Sequence, residues 1–318
     1  MPLVTADGDI HLKSVLVATD FSEASEKALR HALAIARHYG AKLYVAHVVS
    51  SMAFTLVGPD AVNAATDAVC RDARQLENQL VRSGALAGLR HEIIVRQGNV
   101  WEELEKVVRQ EQVELVVIGT HARRGLGKLL LGSVAEHIFR HSECLVLTVG
   151  PGSLRDSPVD GSRAVRPFLF ATDFSGPSLR ALPYAISSAN HFGTKLAVLH
   201  VLPAVPMPEG VNRPTAGDVM LVRENAQMAS LQRLEELASQ SAKLAAKPEF
   251  LVEFGSPSEK ILQTADTLKA DAIIMGLHRS KHIDTKSHLP WATAYEVVCG
   301  AGCSVLTVRD GGSDWRST

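Results

Sequence analysis

An acid, Asp20, directly follows an apolar run in the stretch Ala18-Thr19-Asp20-Phe21-Ser22. A carboxylate there can accept hydrogen bonds from hydroxyls, or serve as a general base. No nucleophile or second acid is apparent beside it, and capping the next helix is an equally open use. A second stretch is Gly119-Thr120-His121-Ala122-Arg123-Arg124-Gly125-Leu126-Gly127-Lys128, which runs through three leucines to Gly132 and Ser133. A helical pattern starts near Val134. Glycines allow close backbone approach. A helix start offers free N–H groups and the positive end of the dipole to an anion. The Ser133 hydroxyl could join them, and Arg123, Arg124 and Lys128 add positive charge. The chemistry is that of a phosphate cradle, although an ordinary Gly-Ser helix start with solvated basic residues has the same composition. It is not a Walker loop, because Lys128 precedes Leu129 and Ala122 takes a glycine position. It is not a dinucleotide fingerprint either, since no glycine follows the first strand.

These residues need elements to hold them, and the chain supplies the same set twice. Val15–Val48 and Phe168–Val201 align at a shift of 153 residues, carrying Ala-Thr-Asp-Phe-Ser and a terminal His-Val in both (His47 and His200). The matched ends Leu145–Val149 and Ser304–Val308 close the two copies. A period this long is a duplicated domain rather than a solenoid repeat. The expected layout is a first domain over residues 1–152, a Pro/Gly/Ser-rich linker at 153–166, a second domain at 167–310 and a polar tail at 311–318.

In the first copy Ser14–Thr19, Lys42–Val49, Glu92–Arg96, Glu114–Gly119 and Leu145–Val149 are short, nearly continuous apolar runs, as in strands buried on both faces. Between them lie helical stripes, such as Ala28, Leu29, Ala32 and Leu33. Asn99 and Ser256 are expected N-caps, the latter in a capping box with Glu259 and Pro257 at the first helical position. Val57–Ala85 and Gly210–Ala246 read as long amphipathic helices, with Met207, Met220 and Met228 as pocket or core residues. The fold class is α/β: two tandem doubly wound, Rossmann-like domains, each with a five-stranded parallel sheet of expected order 3-2-1-4-5. That order, taken from fold class, puts the crevice beyond strands 1 and 4, where Asp20 and Gly119 converge.

Composition narrows the classes. Thirty-three basic and 34 acidic residues leave a net charge of −1, so no basic excess points to nucleic acid. No apolar run is long enough for a membrane span, and the N-terminus lacks the apolar stretch of a signal peptide. Four cysteines, Cys70, Cys144, Cys299 and Cys303, make no disulfide framework. A cytoplasmic protein is the expectation.

Ala18–Ser22, Ala46-His47-Val48 and Gly119–Ser133 with the following Val134-Ala135-Glu136 resemble the universal stress proteins in their tandem form, across nearly the whole chain. The resemblance implies ATP binding, with Mg²⁺, in the first copy. Ala18, Thr19, Asp20, Val48, Gly119, His121, Ala122, Arg123, Gly132, Ser133 and Val134 would form that site. Asp20 would hold ribose hydroxyls, Val48 would flank adenine, and Gly119, Gly132, Ser133 and Val134 would hold phosphates. Ala122 departs from the family's glycine. The resemblance also implies an intrachain pseudo-dimer meeting at the last strands. A homodimer and an unidentified protein partner are left open.

The second copy departs further. Gly276 is kept, but Arg279 replaces a glycine, and Ala292-Thr293 align with Gly132-Ser133 behind a loop longer by three residues that ends in Pro290 and Trp291. Asp173 and Val201 remain. This copy is expected not to bind ATP in the family manner, leaving another small ligand or a structural role. His278, His282, Asp284 and His288, with Cys299 and Cys303, match no standard zinc spacing. The leading reading is a nucleotide-dependent stress-response regulator, at most a slow ATPase with no assembled catalytic residues. Its rivals are a nucleotide-free scaffold and an enzyme using ATP for adenylation or phosphoryl transfer, for which no acceptor site is legible.

Overall fold

The computed structural model describes residues 3–4, 10–50, 59–120, 131–151, 166–204, 216–239, 244–277 and 290–309. His121, Ala122 and Arg123 lie outside them, as do Met207, His278, Arg279, His282, Asp284 and His288. The chain divides into two compact units, parting between residues 161 and 162.

The first unit begins with a two-residue antiparallel pair, β1 (Leu3–Val4) and β2 (Ile10–His11). Its sheet consists of β3 (Ser14–Ala18), β4 (Lys42–Ser50), β5 (His91–Gly98), β6 (Leu115–Gly119) and β7 (Leu145–Val149), all parallel. The helices are α1 (Glu23–Tyr39), α2 (Pro59–Arg82), α3 (Val100–Gln110) and α4 (Ser133–His141). Within the unit the strand order is β7-β6-β3-β4-β5. The central β3 is covered on both faces, with Val15, Leu16 and Val17 each 0% exposed. That is why its sequence shows no alternation. Because α1 crosses to one side and α4 to the other, the chain reverses direction between β3 and β6. The carboxyl ends of those strands mark the topological switch point, where folds of this class place a ligand.

The second unit repeats this with β8 (Phe168–Ala171), α5 (Gly176–His191), β9 (Leu196–Leu202), α6 (Ala216–Ser239), β10 (Glu249–Phe254), α7 (Pro257–Thr267), β11 (Ala272–Leu277), α8 (Pro290–Gly300) and β12 (Ser304–Arg309). Its order is β10-β9-β8-β11-β12.

Local chemistry sets the helix ends. The start of α1 has Ser22 as N-cap with Glu23 and Glu26 in the first turn, and its end has Gly40 in the left-handed conformation. Asn99 caps α3, its side chain accepting from the N–H groups of Trp101 and Glu102. Ser256 departs from expectation. It stands at the N-cap of α7 without a side-chain cap bond. Its hydroxyl lies 3.4 Å from Ser258 Oγ, and Glu259 accepts from Gln263 one turn on, so no capping box forms. Met220 and Met228 also differ. They are 62% and 61% exposed on α6, because that part of the helix turns its apolar residues outward.

Candidate functional site

The turn after β3 is built from side chain to backbone bonds. Thr19 is buried, and its N–H donates to the Ala46 carbonyl of β4 at 2.9 Å. Its hydroxyl donates to Ser25 Oγ and accepts from the Phe21 N–H, both at 3.1 Å. Asp20 is exposed at the strand's end. Its Oδ1 accepts from the Ser22 N–H at 3.0 Å and the Ser22 hydroxyl at 2.5 Å. Ser22 in turn accepts the Ser25 N–H as the N-cap of α1. Asp20 is therefore not itself the cap. It fixes the residue that is.

Phe21 sits at φ 60°. A bulky side chain in the left-handed region costs about 1–2 kcal/mol, so this turn is strained. The Phe21 ring lies 4.7 Å from that of His47 on β4. His47 Nδ1 donates to the Thr19 carbonyl at 2.7 Å.

The second unit has the same turn. Phe174 is at φ 60°, and its N–H donates to Thr172 Oγ1 at 3.0 Å. The Ser175 N–H donates to Asp173 Oδ1 at 2.9 Å. His200 Nδ1 donates to the Thr172 carbonyl at 2.8 Å, with its ring 4.6 Å from Phe174. Burial pushes the Asp173 carboxyl upward, but hydrogen bonds from Ser175 and Ser178 outweigh it and hold the group below its ordinary range. One addition distinguishes this unit: the Arg233 guanidinium of α6 lies 4.2 Å over the Phe174 ring.

On the neighbouring strand β6, Gly119 stands at the same carboxyl edge. A Cβ there would stand 2.3 Å from the Ala24 carbonyl oxygen, and one at Gly276 would stand 2.2 Å from that of Pro177. The glycine that both copies keep is required by the first turn of the helix after the unit's central strand, α1 or α5, which packs on the end of the glycine's own strand. That accounts for Gly276 surviving in a copy whose loop has diverged. Thr120 is buried, with its N–H and hydroxyl both directed to the Val149 carbonyl, at 3.0 and 3.1 Å.

Gly132 is the N-cap of α4, without a side-chain cap bond. A Cβ on it would meet nothing within 4 Å. Among the described residues nothing crowds Gly132, and Ser133 is exposed and Val134 half-buried. Such a start can accept an anion against its N–H groups. Val48 lies two residues beyond Ala46, which pairs with Ala18, so it borders the same strand ends. Ala18, Thr19, Asp20, Val48 and Gly119 therefore share the carboxyl edge of β3, β4 and β6, and Gly132, Ser133 and Val134 open the helix that follows β6.

In the second unit α8 starts at Pro290, ahead of Ala292 and Thr293. Counted from the glycine that both copies keep, α8 begins as far along the chain as α4 does, and the extra length lies in the helix, which has 11 residues against 9. Proline contributes no N–H at this end. Cys303 is pushed up to about 12 by burial, the opposite of a thiolate ready to ligate a metal. Among the described residues no group of three metal-ligating side chains occurs.

Sequence reasoning left Ser22, Ser25 and the strained Phe21 without a role. The signal was present in the repeat, because all three recur at the same shift as Ser175, Ser178 and Phe174.

The universal stress protein family model matches residues 11–150 and again 164–309. Universal stress proteins MJ0531 and MJ0577 of Methanocaldococcus jannaschii are 25% and 26% identical, over 46% and 43% of this chain and 86% and 94% of their own length. Among solved structures, a universal stress protein from Archaeoglobus fulgidus superposes with a TM-score of 0.68 at 21% identity, covering 93% of this chain and 98% of that one. Protein PA1789 of Pseudomonas aeruginosa, of unknown function, gives 0.60 at 16% identity, covering 94% and 93%. At these identities the two structures speak for the fold alone.

Proposed function

Since the chain belongs to the universal stress protein family, we propose that its first unit binds an adenine nucleotide, ATP with Mg²⁺, and acts as a nucleotide-dependent regulator in the stress response. The observation that carries this reading is the pairing of two features at one switch point. One is the exposed Asp20 carboxylate on a rigid turn. The other is the α4 start at Gly132-Ser133, where Gly132 supplies no side-chain cap and a Cβ on it would meet nothing among the described residues.

The residues present suit the ligand. A carboxylate accepts hydrogen bonds from neutral hydroxyls, as a sugar offers, and repels phosphate. The α4 start, some way along the chain, offers N–H groups and the Ser133 hydroxyl to an anion. Bound ATP would supply the charge whose presence or absence a partner reads, and the magnesium ion would neutralise part of it. The residues of this chain bind and orient. The hydroxyl beside Asp20, that of Ser22, is engaged as the N-cap of α1, and efficient turnover is not part of the proposal.

The second unit is proposed not to bind ATP in this manner. It keeps the Asp173 turn but starts α8 on a proline. The test is calorimetric titration of ATP with Mg²⁺ into the wild type, Gly132→Val and Asp20→Ala. At least tenfold weakening is expected in each variant; Gly132→Val is expected to change the unfolding midpoint little, whereas Asp20→Ala, which releases Ser22, is expected to lower it modestly. No heat from the wild type at millimolar ATP would end this reading in favour of a nucleotide-free scaffold.

A further inference from the structure

The turn after β3 poses a physical problem that its own bonds do not solve. Phe21 is held at φ 60°, where glycine, asparagine or aspartate would be ordinary and phenylalanine is not. A strained residue persists when its surroundings over-determine it. Most of the bonds holding it run within residues 19–25, from Thr19, Asp20 and Ser22 to neighbours a few residues away. These could move together. Two ties reach out to β4: the Thr19 N–H to Ala46, and the His47 side chain to the Thr19 carbonyl at 2.7 Å. The same imidazole backs the Phe21 ring at 4.7 Å. One side chain thus fixes the peptide that enters Asp20 and covers the residue that leaves it.

The second unit repeats the device with Thr172, Phe174 and His200. The turn and its histidine stay together in both copies although the surrounding loops differ. A carbonyl only accepts, so Nδ1 must carry the proton. The residue needed there is both a donor and a flat ring.

We infer that His47 is a positioning residue of the first crevice: through the Thr19 carbonyl and the Phe21 ring it holds the strained turn that aims the Asp20 carboxylate at a ligand. For what is aimed at, this rests on the nucleotide reading above. The clamp itself does not.

The test compares His47→Ala, His47→Asn (donor kept, ring lost), His47→Phe (ring kept, donor lost) and His200→Ala. Each is measured for ATP-Mg²⁺ affinity by calorimetry, for unfolding midpoint, and for amide exchange at Phe21 and Ser22. His47→Ala is expected to weaken ATP at least tenfold and to speed exchange of both amides at least tenfold. His47→Asn, which keeps the donor alone, is expected to restore each in part. His200→Ala breaks the equivalent clamp, and is expected to lower the midpoint similarly while leaving ATP affinity within twofold. Unchanged affinity in His47→Ala, or equal loss in His200→Ala, overturns the positioning role. Should His47→Ala not fold, His47→Phe carries the same comparison. If wild-type protein binds no ATP, the nucleotide reading fails. Amide exchange then judges the clamp by itself, and unchanged exchange in the variants overturns it.

Discussion

Giving Gly119 a methyl group would drive it to 2.3 Å from the Ala24 carbonyl oxygen, and Gly276→Ala would meet Pro177 at 2.2 Å. Both are backbone atoms that cannot swing away. Each substitution is expected to cost about 1–3 kcal/mol or more, the range of overpacking, read as a lowered denaturant midpoint. Gly132→Ala, with open space around it, is expected to stay within about 1 kcal/mol. Equal losses at all three positions would contradict this packing account.

Two titrating groups give pH tests of opposite sign. Asp173 lies below its ordinary value of 3.8. Its stabilisation is therefore present above that value and lost as pH falls through the lowered one. Asp173→Asn is expected to flatten the acid limb of the stability curve, measured by urea melts between pH 5 and pH 2. Cys303 is raised from 9.0 to about 12. Its contribution is full below 9.0 and disappears as pH climbs toward 12. In the native protein it is expected to react with a thiol reagent at pH 8 at least tenfold more slowly than after unfolding. Equal rates would contradict the partial burial of this thiol.

At the scale of elements, caps of the same apparent kind separate. Asn99 makes two bonds to the start of α3, so Asn99→Ala is expected to cost about 1 kcal/mol. Ser256 makes no side-chain cap bond at α7, so Ser256→Ala is expected to change the thermal midpoint far less. Both positions looked alike in sequence, because a cap residue type reports where a helix can begin and not which way its hydroxyl turns. The strands were legible, since burial on both faces leaves continuous runs such as Val15–Val17. The pair Leu3–Val4 with Ile10–His11 was not, being two residues long in each arm. The start of α8 was also misplaced. Alignment to Gly132-Ser133 pointed at Ala292-Thr293, while Pro290, a good first helical residue, begins the helix. The places of Asp20 at the end of β3 and of Gly132 at the start of α4 were legible. The strain at Phe21 was not, because φ > 0 is a tertiary outcome that a phenylalanine does not advertise.

At the scale of the whole chain, duplication has kept one half of a crevice and altered the other. Both units retain the strained Asp-Phe-Ser turn, its histidine, and the glycine that lets the first helix pack. They part at the helix after the fourth strand, which begins on an open Gly-Ser in one unit and on a proline in the other. Among the described residues no helix is long and apolar enough to cross a membrane. A protein built this way is expected to be asymmetric toward ligand, with one competent unit per chain. Native mass spectrometry of the full chain with ATP and Mg²⁺ tests this most directly. One nucleotide per chain, lost in Gly132→Val and retained in Asp173→Ala, is the expected result. Two per chain, or none with the fold intact, would contradict it.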